Sequence, residues 1–185
     1  MQNPLAKPLN QLHHALEAMK PDLLAKIGAQ AKIFTNDNFR LQGFQGDVFE
    51  PWVKRNPDKD PGRAILVGKG TAHLKNSIHI IAITADSVSI GTSIPYAQIH
   101  NEGGSIRHPY REVTMHYKKV SGKLRLAKLT TIGDQMQASE FRRSSVSNHV
   151  TNMPRRHYLG PSPVLDKQII ALIRENISST FKIIQ

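Results

Sequence analysis

Nine histidines and fourteen acidic residues are the first places to look for metal binding or acid–base chemistry in this 185-residue chain, which has no cysteine. The missing cysteines exclude disulfides, thiolate nucleophiles and any zinc site built on sulfur. His13 and His14 are adjacent. On a helix their side chains diverge by about 100°, so they cannot chelate one ion. No HExxH pair occurs, and neither His79 in SIHIIAIT nor His100 in IHNEGG has a second ligand at metal-binding spacing. No GxSxG elbow is present either. The stretch GKGTAHLKNS has the glycines and lysine of a phosphate loop but not the GxxxxGK[ST] spacing that wraps backbone amides around a phosphate. The acids are scattered, so no convergent carboxylate pair can be read. The expectation is a non-enzymatic protein with no catalytic residue, cofactor or metal.

The stretch IPYAQIHNEGG, Ile94 to Gly104, has turn chemistry instead. Pro95 fixes φ as the chain leaves a strand, Tyr96 and Ile99 can bury against a sheet, and Gly103 and Gly104 permit positive φ where the chain turns back. His100 then reads as a structural residue whose ring is hydrogen-bonded near the turn. In NMPRRHYLGPS, Met153, Tyr158 and Leu159 can pack, Gly160 can turn, and Ser162 can cap a helix with Pro163 in its first turn. Arg155 and Arg156 read equally well as a solvated pair or as contacts to a partner, since exposed ion pairs contribute only about 0–1 kcal/mol.

These stretches need elements to hold them. Apolar residues at helical spacing run from Leu9 to Phe34, and Pro21 interrupts them, so two helices are expected, Pro8 to Met19 and Pro21 to Arg40. Residues 39–63 read as a loop pinned by Phe39, Phe44, Phe49 and Trp52. Ser77–Thr84 and Ser87–Thr92 alternate and predict a hairpin turning at Ala85–Asp86. Met115–Val120 and Lys123–Leu129 predict a second, basic, projecting hairpin turning at Gly122. Residues 130–151 are polar and serine-rich and read as irregular, within a flexible insertion spanning 105–152. Leu165, Ile169, Leu172, Ile173, Ile177 and Phe181 form one stripe of a long C-terminal helix. The expected architecture is a single α+β domain over 1–185, with helices packed on a small antiparallel sheet.

The net charge is +11 and hydrophobic residues make up 39% of the chain. From Arg107 to Arg156, eleven Lys/Arg face three Asp/Glu, so +8 of the +11 is regional. The pairs Lys118–Lys119, Arg142–Arg143 and Arg155–Arg156 are the candidate contacts for a partner. They also support non-specific DNA contact as an alternative, although no recognition helix or aromatic stacking platform accompanies them. No apolar run suffices for a membrane span, and the N-terminus lacks a signal-peptide pattern, so a soluble cytoplasmic chain is expected.

Taken together, TADSVSIGTSIPYAQIHNEGG, ILVGKGTAHLKNSI, FQGDVFEPWVKR and NMPRRHYLGPS resemble the phage virion morphogenesis family, the tail-completion proteins of Mu-like phages and prophages. The matching positions include Pro95, Tyr96, His100, Gly103, Gly104, Pro154, Leu159 and Gly160. Two departures stand out. The family's D-T-G-R-L is Gly70-Thr71-Ala72-His73-Leu74 here, and its PDG turn is Gly46-Asp47-Val48. The resemblance implies a structural subunit for tail completion and head–tail joining that forms a ring of six copies. It implies tail tube or terminator proteins and the head connector as partners. Its location would be the bacterial host cytoplasm during assembly, then the tail or neck of the virion.

Overall fold

The computed structural model describes residues 6–55, 60–68, 71–120, 123–126 and 140–184. It is an α+β protein whose contacts divide it into two compact units, Met1–Gly104 with Pro154–Gln185, and Ser105–Met153.

The first unit is organised by α1, Ala6–Leu41, a single helix with Pro21 inside it. This corrects the expected break at Pro21. A proline in a helix interior costs about 3 kcal/mol in a lost hydrogen bond and a steric clash. Here tertiary contacts on both sides of Pro21 hold the helix through it. On one side Met19 Sδ accepts a bond from Thr180 at 3.1 Å, and Lys20 reaches Asp86 at 3.3 Å. On the other, Lys26 and Gln30 bond Asn176 and Gln168 at 2.8 and 3.0 Å. Asn176, Gln168 and Thr180 lie on α4, Pro163–Ile184, so the two long helices run antiparallel. Ser162 caps α4 as its sequence suggests. Its Oγ accepts from the amides of Val164 and Leu165 at 3.1 and 3.4 Å and donates to the carbonyl of Gln45 at 2.5 Å.

A short ribbon follows α1: β1, Gly43–Gln45, pairs antiparallel with β2, Phe49–Pro51. These residues were expected to be loop, because three-residue strands leave no periodic pattern. Gly43 is required sterically. A Cβ there would lie 2.3 Å from the Phe49 ring and 2.6 Å from the Glu50 carbonyl oxygen. Of the four aromatics expected to fold back, Phe39, Phe44 and Trp52 are buried, while Phe49 stays 45% exposed.

After the one-turn helix α2, His73–Asn76, the predicted hairpin appears as β3, His79–Ile83, and β4, Val88–Gly91. Thr84 and Ser87 close its turn around Ala85–Asp86 through backbone and hydroxyl bonds. One face packs on α1 at Gly28, where a Cβ would meet Ile80 and Val88 at 2.7 and 2.8 Å. α3, Ala97–Glu102, then occupies the stretch read as a corner.

The core of this unit is Phe39, Trp52, Leu74, Ile78, Ala97 and Tyr158, with Ile65, Leu66, Ile94 and Leu159 against it. Phe39 meets the Trp52 ring edge-on at 5.4 Å and the Tyr158 ring at 5.0 Å, both within the range where aromatic pairs attract.

In the second unit, β5, Gly104–His108, pairs with β9, His149–Met153, and β6, Arg111–Val120, lies between β7, Lys123–Leu126, and β8, Glu140–Val146. The β6–β7 pairing matches the second predicted hairpin; its turn at Gly122 lies outside the described residues. The polar run expected to be irregular instead supplies β8 and β9. Serine and arginine carry little strand propensity, and these strands are set by ladder pairing to β6 and β5 rather than by their own periodicity. Among the residues of this unit whose burial is described, none is buried.

Candidate functional site

The two stretches that looked most informative in sequence meet in the first unit. α3 is held at its C-terminal end by Gly103 at φ 75°, and Gly104 follows at φ 139°, so both glycines adopt the conformation their side-chain-free backbone allows. Against α3 runs the extended segment 154–162, and Asn101 joins the two. Its Oδ1 accepts from the amides of Tyr158 and Leu159 at 2.9 and 3.0 Å, and its Nδ2 donates to the carbonyl of Leu159 at 3.0 Å. The amide of Arg156 donates to the carbonyl of His100 at 2.9 Å, and the Tyr158 hydroxyl donates to that of Ala97 at 2.9 Å.

The other side of the segment is bound by α1 and the chain after β2. Asn38, wholly buried, donates to the carbonyl of Tyr158 at 3.1 Å and accepts from the amide and side chain of Gln45. Trp52 Nε1 donates to the carbonyl of His157 at 2.7 Å, and Arg156 Nε donates to that of Val53 at 3.0 Å. An extended segment has no internal ladder, so its polar backbone groups must find partners elsewhere once buried. Three side chains from three parts of the chain, Asn38, Trp52 and Asn101, supply them.

In both histidines here burial and a neighbouring arginine disfavour the charged ring. His157 stacks on Phe44 with centroids 3.8 Å apart, and its Nδ1 and Nε2 lie 3.0 Å from Arg155 Nη2 and the Leu159 carbonyl. Because a guanidinium only donates, Nδ1 accepts and Nε2 carries the proton. Burial, and then the Arg155 charge, lower the His157 pKa. Gly160 keeps this ring in place, since a Cβ there would stand 2.3 Å from Nε2. His100 is likewise lowered, first by burial and then by Arg156. Its Nδ1 is buried with no hydrogen-bond partner among the described residues, which departs from the expected ring bond. Its nearest ring contact is Tyr96, edge-on at 5.8 Å. Burial pushes the Tyr158 phenol up to about 12.

Other expected residues sort themselves by exposure. Pro95 is exposed, and Tyr96, expected to bury, is 44% exposed and bonds His73 Nδ1 at 3.0 Å; Ala97 fills the core in its place. Tyr96, His73 and His100 line a cleft of about 270 Å³ with Leu66, Thr71 and Leu74, and no acid joins them. Pro154 and Leu159 are half-buried. The pair Arg155–Arg156 divides: Arg155 is exposed, whereas Arg156 is only 6% exposed and spends its guanidinium on Val53. Burial, then the Arg55 charge, lower the Arg156 pKa. Arg156 is therefore not a solvated residue. In the second unit, Lys118 and Lys119 stand on β6 opposite Arg125 and Leu124, and Arg142 and Arg143 stand on β8 opposite Met115 and Thr114. Arg143 is exposed.

Asn38 and Asn101 were not singled out in the sequence. Asn38 follows Ala31 and Phe34 at helical spacing, so a polar residue on the apolar stripe was the available signal. Among the described residues no three His, Asp or Glu side chains converge, and no helix is long and apolar enough to cross a membrane. The arrangement is a joint that locks α1, α3 and the start of α4 to one another.

No match is found among curated proteins or among solved structures. Residues 2–178 match the phage virion morphogenesis family, a span that takes in both halves of this joint, and the chain therefore belongs to that family.

Proposed function

We propose that the chain is a non-enzymatic subunit that completes the phage tail and joins it to the head, acting as a closed ring at the tail or neck. Its partners are copies of itself, tail tube or terminator proteins, and the head connector. The observation that carries this reading is the family match over residues 2–178, and large apolar side chains left exposed, among them Val48 at 77%, Val53 at 58% and Ile81 at 59%, are surface available for a partner to cover. Buried side chains that stabilise the joint are tied to backbone groups, which fits a scaffold better than a reaction centre.

Electron microscopy of particles made without this chain tests the reading. Filled heads and separate tails are the expected result. Joined, infectious particles would refute it.

A second reading, contact with DNA along its exit or packaging path, is favoured by the charge of the second unit. Between Ser105 and Met153 nine Lys/Arg stand against three acids, and Arg107, Arg111, Lys123 and Arg143 are exposed. Binding of duplex DNA by the isolated protein, falling steeply between 50 and 200 mM salt in the manner of counterion release, would support it. Salt-independent or absent binding would remove it.

A further inference from the structure

We infer that the β1–β2 ribbon of one copy is the seat for the basic second unit of another copy. This rests on the ring reading above and names the surfaces that make it. From Gly43 to Val53 the chain carries two acids, Asp47 and Glu50, and no Lys or Arg. Both acids are exposed and enter no ion pair among the described residues. Around them Val48, Phe49 and Val53 are 77%, 45% and 58% exposed. β2 pairs only with β1 among the described strands, so its outer edge presents open backbone donors and acceptors.

The second unit has the complementary character. It has net charge +6, with Arg107 and Arg111 exposed beside Tyr110, which is 59% exposed, and Val150, which is 57% exposed. Its β5–β9 ribbon, which carries Arg107 and Val150, has no buried residue, and a two-stranded ribbon of that kind is marginally stable in water until a face is covered. A basic, part-apolar ribbon therefore faces an acidic, part-apolar one, and opposite potentials set register and partner choice across an interface. The outer side of the β3–β4 hairpin, where Ile81 is 59% exposed, is the competing apolar surface. Its turn acid, Asp86, is already bound by Lys20 at 3.3 Å, so it offers the basic unit less. Because the two surfaces differ, the contact is head-to-tail, and repeated copies close into a ring when the rotation permits.

A charge-swap experiment tests this on the full chain. One variant carries Asp47→Lys with Glu50→Lys, the other Arg107→Glu with Arg111→Glu, and native mass spectrometry reads the assembly state. Wild type is expected to assemble, each variant alone to lose self-association at least tenfold, and the equimolar mixture to recover assemblies in which the two alternate. Wild-type assembly is also expected to weaken between 0.1 and 1 M salt. Circular dichroism confirms that each variant is folded. If wild type assembles and either folded variant assembles equally well, or the mixture fails to recover, or salt has no effect, these surfaces are wrong while the ring stands. If wild type stays at 20.7 kDa, the ring reading itself falls, and this inference with it.

Discussion

Ala72 sits at φ 43°, ψ 38°, immediately before α2, in a left-handed conformation that a Cβ disfavours by roughly 1–2 kcal/mol. The family pattern has glycine at this position, so Ala72→Gly is expected to raise stability by about 1 kcal/mol, read as a higher midpoint in urea. Asn101 has the opposite sensitivity. Asn101→Ala removes three bonds at once and leaves the amides of Tyr158 and Leu159 without their partner, while His157 Nε2 still reaches the Leu159 carbonyl, which predicts a loss of about 2–4 kcal/mol. Titration adds two limits. The depressed pKa values of His100 and His157 mean that both contribute stability above the unfolded value of 6.5, lost as pH falls through their lower folded values. Tyr158 acts in the other direction. Its contribution is complete below the unfolded value of 10.0 and disappears as pH rises toward about 12, so Tyr158→Phe should flatten the alkaline side of the stability profile. At this scale the sequence identified Ser162 as a cap, because capping depends on local chemistry, whereas the ring bond expected of His100 is not formed. It missed Asn38 and Asn101, whose partners lie 120 and 58 residues away for their bonds to Tyr158 and Leu159.

The elements that were legible are those with a repeating pattern. The C-terminal helix and the hairpin around Ala85–Asp86 stand where alternation and helical spacing placed them. Pro21 misled, because its local penalty is outweighed by contacts with Asp86 and α4 that no periodicity displays. Pro21→Ala should therefore stabilise α1, by up to about 3 kcal/mol, with no change in the fold seen by circular dichroism. The ribbon β1–β2 was invisible because three-residue strands show no period, and β8 and β9 because pairing with β6 and β5, rather than their own alternation, sets their register. Gly43→Ala tests the ribbon. The added methyl collides with the Glu50 backbone, which cannot rotate away, so a loss of about 1–3 kcal/mol is expected in thermal unfolding.

For the whole molecule, composition had already pointed outward: 39% hydrophobic residues, a regional positive charge, and no convergent chemistry. The structure shows where apolar surface lies, with Val48, Val53, Ile81 and Val150 each more than half exposed. Membership of the phage virion morphogenesis family accords with such a chain. What the sequence did not carry was the position of the acidic ribbon, since Asp47 and Glu50 become one surface only when β1 and β2 pair. The most direct measurement is a cryo-electron microscopy reconstruction of the complete particle's head–tail junction at side-chain resolution. The account predicts a closed ring of this chain there, with the basic unit of each copy on the β1–β2 ribbon of the next. A junction containing no copy of the chain, or isolated copies bound only to DNA, would contradict it.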